Sequence, residues 1–251
     1  MSQTPSHSSA LLLKDGADLP VFLIHGMRGS AEEFLPVTER LKTPRRLYAL
    51  RAKGHDGREL PLTRIEDMSA FYLDTIKTLQ PQGPYSIVGY SLGGLTAIEI
   101  ARTLEARGES VVSLVLIDSY PFTRTLSPWK SAKVARLKWK YRISDAMLER
   151  SGGSVAMSQD DIHERMEFSD FVALTNHQVQ RYEGKIEFVR AADSTFPDPN
   201  TAWPHLTPNM KIGVIPGDHH SILSKDSAKL AELLSSYLES ATRSDPARKS
   251  A

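Results

Sequence analysis

The sequence predicts an α/β domain: a mostly parallel central sheet flanked by helices, with a helical lid inserted late in the chain. Three observations carry that prediction. From residue 20 to residue 118, short apolar runs alternate with amphipathic helical stretches, the pattern of successive βαβ units. One of those runs ends in Gly89-Tyr90-Ser91-Leu92-Gly93, a serine between glycines where a strand gives way to a helix. Between Pro121 and Gly184 the alternation stops, over an interval too long for a plain loop between strands.

Residues 1–18 are Ser/Thr-rich and then mixed, and are expected to be a flexible N-terminal segment with room for one poorly defined edge strand. Residues 19–25 are almost wholly apolar and read as a strand buried on both faces, leading into His25-Gly26-Met27-Arg28-Gly29. Ser30 and Glu33 have capping-box spacing, which predicts a helix over 31–41. The next strand is 46–50, followed by a polar, glycine-bearing loop at 51–57. Thr63 and Glu66 form a second capping box, and Ile65, Met68, Phe71, Tyr72, Ile76 and Leu79 keep helical spacing up to Pro81. After the serine turn, helix formers continue to about residue 107 and stop at Gly108. The most apolar strand, 111–117, then ends on Asp118.

The segment from 121 to 184 reads as helices forming the lid. Residues 129–142 put Val134, Leu137 and Tyr141 on one helical face and Lys130, Lys133, Arg136, Lys138, Lys140 and Arg142 around the rest. Such a face is either the solvated side of the helix or a docking surface for an acidic protein or a membrane. Ser158 with Asp161 caps a further helix carrying Ile162, Met166 and Phe168. Strands resume at 185–190 and 210–215, a helix over 224–238 closes the domain, and the charged stretch 241–251 is expected to be a flexible tail. The organisation expected is one domain over residues 19–240, with the lid at about 121–184.

Composition narrows the function classes. With 31 basic and 30 acidic residues there is no net field to attract nucleic acid or an anionic membrane. The absence of cysteine excludes disulfides, thiolate zinc sites and a cysteine nucleophile. Residues 1–10 lack the basic start and apolar stretch of a secretion signal, and no run approaches a membrane span, so a cytoplasmic protein is expected, as monomer or dimer. No metal and no cofactor are expected.

The serine motif sets the chemistry. A serine on a strained turn presents its hydroxyl, and the helix starting at Leu92 aims its first amides at negative charge developing nearby. Serine needs a base, and the base needs an acid to fix its tautomer. Of the histidines after Ser91, His163 and His177 fall in lid helices, where a packing or solvent-facing role is expected, and His205 lies in a loop before the last strand. His219 and His220 directly follow that strand and are the leading candidates. Asp118 and Asp193 both end strands and both remain candidates for the acid. The N–H groups of Leu92 and Met27 are the candidate oxyanion donors. His25 is read as a hydrogen-bonding scaffold rather than a catalyst.

These residues resemble the α/β-hydrolase superfamily and, within it, the thioesterase domains that end polyketide and nonribosomal peptide assembly lines. The likeness is carried by Gly83-Pro84-Tyr85-Ser86-Ile87-Val88-Gly89-Tyr90-Ser91-Leu92-Gly93-Gly94, by Leu116-Ile117-Asp118, by Trp203 ahead of the last strand, and by Gly217-Asp218-His219-His220-Ser221-Ile222-Leu223. The resemblance implies the triad Ser91, Asp118 and His219, with His220 where such domains usually carry an aromatic residue. Editing relatives place the acid after the later strand, which keeps Asp193 open. It also implies that the substrate is an acyl or peptidyl thioester on the phosphopantetheine arm of a carrier protein, released by hydrolysis or cyclisation. The alternatives are a stand-alone editing (type II) thioesterase, a carboxylesterase for small or lipid esters, and a non-catalytic binding module on the same fold.

Overall fold

The computed structural model describes residues 9–121, 141 and 157–244. Among these residues seven strands form one sheet: β1 (Ala10–Lys14), β2 (Asp18–Ile24), β3 (Arg45–Leu50), β4 (Tyr85–Tyr90), β5 (Val111–Ile117), β6 (Ile186–Ala191) and β7 (Met210–Ile215). Their spatial order is β1-β3-β2-β4-β5-β6-β7, parallel throughout except that β1 runs antiparallel to β3. The central strands are apolar on both faces because both are covered. Phe22, Ile24, Ile87, Leu114 and Leu116 face α2 (Ile65–Leu79) and α3 (Leu92–Ala106). Their neighbours Val21, Leu23, Val88, Val115 and Ile117 face the other way, toward α1 (Leu35–Thr38) and α6 (Ser227–Ser244). Alternate residues of one strand thus feed two cores.

Within the N-terminal segment, the described residues supply the edge strand that the sequence left room for. From Ala10 it is a paired strand, with Ala10 buried opposite Leu50 and the Arg51 N–H donating to the Ser9 carbonyl at 2.8 Å. The reason is the free edge of β3, whose backbone groups would otherwise lack partners in the sheet.

The helix expected over 31–41 is shorter, a 3₁₀ turn (Ala31–Phe34) running into α1. Ser30 makes no side-chain cap bond, and Glu33 instead accepts the Gly26 N–H at 2.6 Å. The second capping box fails for the same reason: α2 begins after Arg64, and Glu66 is engaged by His177 Nδ1 at 3.0 Å. In both places a tertiary partner outcompetes the local one. The third signal does form, with Asp161 N–H donating to Ser158 Oγ at 3.1 Å at the start of α4 (Gln159–Asn176).

A one-turn helix α5 (Pro199–Ala202) precedes the fully buried Trp203. The last helix, α6, begins later than expected because the residues before it form turns, and it extends into the stretch expected to be a flexible tail. Leu230, Leu234, Leu238 and Ala241 continue one buried stripe, which is why the helix does not stop at 238.

Of the helix expected over 129–142, only Tyr141 lies within the described residues; its basic face lies outside them. Tyr141 is buried, with its ring 5.1 Å from that of Phe168 on α4. Among the described residues, no helix is long and apolar enough to cross a membrane.

Candidate active site

β4 delivers Ser91 onto a backbone of φ 54°, ψ −117°, and α3 starts at the next residue. A positive φ in a non-glycine residue costs on the order of 1–3 kcal/mol and persists only where the surroundings enforce it. Here Ser91 N–H donates to the Ile117 carbonyl at 2.9 Å, and the Gly94 N–H to the Ser91 carbonyl at 3.1 Å. Glycines let the turn close. A Cβ on Gly89 would lie 2.3 Å from the Gly93 carbonyl oxygen, and one on Gly93 2.3 Å from that of Ile24.

Asp118, at the end of β5, is buried and is bonded from three directions. Its Oδ1 accepts the Ala191 N–H at 3.2 Å, and its Oδ2 accepts Ser194 Oγ–H at 2.8 Å and His219 Nδ1 at 2.8 Å. His219 sits in the loop after β7, which Asp218 organises by accepting the N–H groups of His220 and Ser221, each at 2.8 Å. Those amides hold the Asp218 carboxyl below its ordinary pKa. The His219 ring is stacked on Tyr90 at 5.0 Å and met edge-on by Phe196 at 4.8 Å. The Tyr90 hydroxyl also donates to the His219 carbonyl at 2.5 Å. With Nδ1–H committed to Asp118, Nε2 is the basic nitrogen.

Ser91 and His219 line one cavity of about 710 Å³, together with Met27, Glu33, Phe171 and Phe196. Asp193 lines it too, but its side chain is exposed, and the carboxylate hydrogen-bonded to His219 Nδ1 is that of Asp118. His220 is exposed at the rim, its ring 5.3 Å from that of His219. His163 and His205 are exposed and line no part of this cavity, and His177 is buried against Glu66. Among the described residues, no cluster of acidic and histidine side chains is arranged to hold a metal ion.

The loop after β2 is held more tightly than the sequence suggested. Burial pushes the imidazole of His25 down to about 4, so it is neutral. It then donates through Nδ1 to the Gly26 carbonyl at 2.6 Å and accepts the Tyr72 hydroxyl at Nε2 at 2.5 Å. That carbonyl shares a planar peptide unit with the Met27 N–H, so fixing one fixes the direction of the other. On either side, Gly26 N–H donates to Glu33 Oε1 at 2.6 Å and Arg28 N–H to Asp170 Oδ2 at 2.7 Å. Leu92 N–H, first in α3, has no acceptor within its helix. Sequence reasoning missed Glu33 and Asp170 in this role. Glu33 carried the spacing of a helix cap, and Asp170 carried no local signal at all.

The thioesterase domain family model matches residues 19–238. Polyketide synthase PksR of Bacillus subtilis (strain 168) is 32% identical over 155 residues, covering 61% of this chain and 6% of the relative. The chain therefore spans a small fraction of that relative's length. Among solved structures, the NocB thioesterase domain in covalent complex with a fluorophosphonate nocardicin G analog superposes with a TM-score of 0.71 at 19% identity, over 91% of this chain and 99% of that one. The type II thioesterase BorB from the borrelidin biosynthetic cluster gives 0.69 at 17% identity, over 94% of this chain and 100% of that one. At these identities the structural likeness establishes the fold.

Proposed function

The chain belongs to the thioesterase domain family, and we propose that it is a serine thioesterase that frees an acyl, polyketide or peptidyl chain from a phosphopantetheine-bearing carrier protein through an acyl-Ser91 intermediate. The observation that carries this reading is the buried Asp118 bonded to His219 at 2.8 Å, with His219 lining one cavity with Ser91 on its left-handed turn.

In the proposed reaction His219 Nε2 accepts the Ser91 hydroxyl proton as Oγ bonds to the thioester carbonyl carbon. The carbonyl oxygen takes up the electron pair, and its charge is met by the N–H groups of Leu92 and Met27. Collapse breaks the C–S bond, and His219 returns the proton to the departing thiolate. Water, or a hydroxyl or amine of the chain itself, then attacks the acyl carbon with His219 again taking the proton, and Ser91 is released with it. Asp118 keeps the imidazole oriented and stabilises its cationic form. The thiolate is a good leaving group, so seating the acyl chain is expected to decide selectivity. Phe171, Leu174 and Phe196 supply apolar wall for it, in a cavity of the size that holds small ligands.

Incubation with a panel of acyl carrier proteins and simple esters, followed by mass spectrometry of the intact chain, tests this reading. Acyl mass is expected on Ser91 from carrier-bound thioesters, and neither acylation nor fluorophosphonate labelling is expected in Ser91→Ala. Turnover that survives Ser91→Ala would reject the nucleophile. Acylation by esters alone would make the protein a carboxylesterase, and binding without acylation would make it a non-catalytic module.

A further inference from the structure

The helix α4 belongs to the segment read as a lid, yet it is seated firmly on the body. Ile162 and Met166 bury against Ala52 of the loop after β3. Glycines make the seat: a Cβ on Gly57 would lie 2.7 Å from Ile162 Cδ1, and one on Gly29 3.0 Å from Met166 Cε. At its C-terminal end, His177 is bonded to Glu66 of α2 at 3.0 Å. Between these anchors Asp170, only 1% exposed, reaches the Arg28 N–H at 2.7 Å.

Arg28 has φ 76° and Gly29 φ 75°, two consecutive left-handed residues directly after Met27. The arginine conformation is costly and needs an outside hold. The Arg28 guanidinium is turned to the exposed Glu167 at 2.9 Å, so it is the main chain of Arg28, not its charge, that Asp170 grips. A carboxyl buried against an amide is an expensive way to stabilise a fold. On the other side of Met27, Glu33 makes the equivalent bond to Gly26 N–H.

We propose that Asp170 and Glu33 are positioning residues that clamp the two amides flanking Met27, so that the seating of the lid helix α4 sets the aim of the Met27 N–H toward the oxyanion. The proposal rests on the reading of Met27 as an oxyanion donor. A loop held on both sides presents a donor already oriented before charge develops, which is where such a donor gains its effect. Displacing α4 would withdraw one of the two holds, so acylation is coupled to lid position.

The test uses the full chain with a carrier-bound acyl thioester. Asp170→Ala is expected to lower kcat by about 10- to 100-fold with KM within about threefold, because the interaction lost acts in the transition state. Affinity for an alkyl boronate, which forms a tetrahedral adduct on the serine, should fall by the same factor as kcat/KM. Asp170→Asn keeps an acceptor for the Arg28 amide and should restore kcat to within about threefold. Should Asp170→Ala fail to fold, Glu33→Ala on the opposite amide carries the same prediction. If these variants change thermal stability but leave kcat and boronate affinity within about twofold, the clamp is structural only and the proposal is overturned. That failure is distinct from failure of the underlying reading, which would show as turnover by Ser91→Ala.

The same substitution has a stability signature. Burial raises the Asp170 carboxyl to about 7 and that of Glu33 to about 8. A raised acid binds its proton more tightly folded than unfolded, so its contribution is complete below about pH 4 and is lost as pH rises through the folded value. The groups around Asp170 are Glu33, Glu167 and Tyr72, with Arg28 on the loop it grips. The lowered His25 has the opposite slope, between about 4 and its ordinary value, and Glu33 keeps its own slope in the variant. Asp170→Asn is therefore expected to melt above the wild type at pH 8.5, with the difference shrinking as pH falls through about 7 and vanishing only below about pH 4. A constant difference across that range would show that Asp170 does not titrate there.

Discussion

Asp118→Asn should lower kcat/KM for a carrier-bound acyl thioester by about 10³- to 10⁴-fold, while Asp193→Asn should leave it within about threefold. The asymmetry follows from the hydrogen bonds on Asp118. One of its oxygens must accept the Ala191 N–H, and the other serves His219 Nδ1 and Ser194 Oγ. An asparagine has a single oxygen, and the Ala191 amide claims it, because a buried N–H left without an acceptor costs about 1–3 kcal/mol. The NH₂ group is then turned toward Nδ1. Two donors cannot face each other, so the imidazole moves its proton to Nε2, the atom that must receive the Ser91 proton. The charge that would stabilise the imidazolium is gone as well. Asp193, by contrast, is exposed, and what it contributes locally is its main-chain N–H, donated to the Gly217 carbonyl at 2.9 Å, which an asparagine keeps. Parallel kinetics on the two variants decide the matter. Equal losses would show that the cavity's acids share the task, and a loss confined to Asp193→Asn would move the acid to the later strand.

The sheet was legible in the sequence where burial is two-sided. Residues 19–25, 85–89 and 111–117 have no polar face because helices cover both sides, and a continuous apolar run says so directly. The N-terminal strand was harder to see, since Leu11 and Leu13 are only partly buried against the core, Leu12 between them is exposed, and its order comes largely from pairing with β3. Pairing of that kind leaves no period in the residues themselves.

The candidate site was legible to the extent that strand ends are. Ser91, Asp118 and His219 each follow a strand, and the parallel topology brings such ends to one edge. The same logic put Asp193 there, and nothing local separated the two acids. What separates them in the structure is a set of donors from elsewhere, the Ala191 amide and the Ser194 hydroxyl. Glu33 was visible but misread, because capping-box spacing records only which local bond is possible. The amide of Gly26, seven residues earlier, is the stronger claimant once β2 and α1 are in place. Asp170 was invisible, since its partner lies 142 residues away in the chain.

Gly93→Ala is expected to destabilise the domain by about 3 kcal/mol or more and to lower the melting temperature by roughly 6–12 °C. The added methyl carbon would lie 2.3 Å from the Ile24 carbonyl oxygen and 2.4 Å from that of His25. Both are backbone atoms at the end of β2, so no side chain can rotate away. Relief requires moving the first turn of α3 off β2, and those two pieces of backbone carry the Leu92 and Met27 amides. Stability and acylation should therefore fall together, with fluorophosphonate labelling of Ser91 slowed even at temperatures where the variant is folded. Gly108→Ala serves as the control. Gly108 has φ 76° and nothing within 4 Å of a built Cβ, so only backbone strain is added there, about 1–2 kcal/mol, far from the cavity. If Gly93→Ala melts within about 2 °C of the wild type and labels at the same rate, the close approach of α3 to β2 is not what sets the spacing of the two amides.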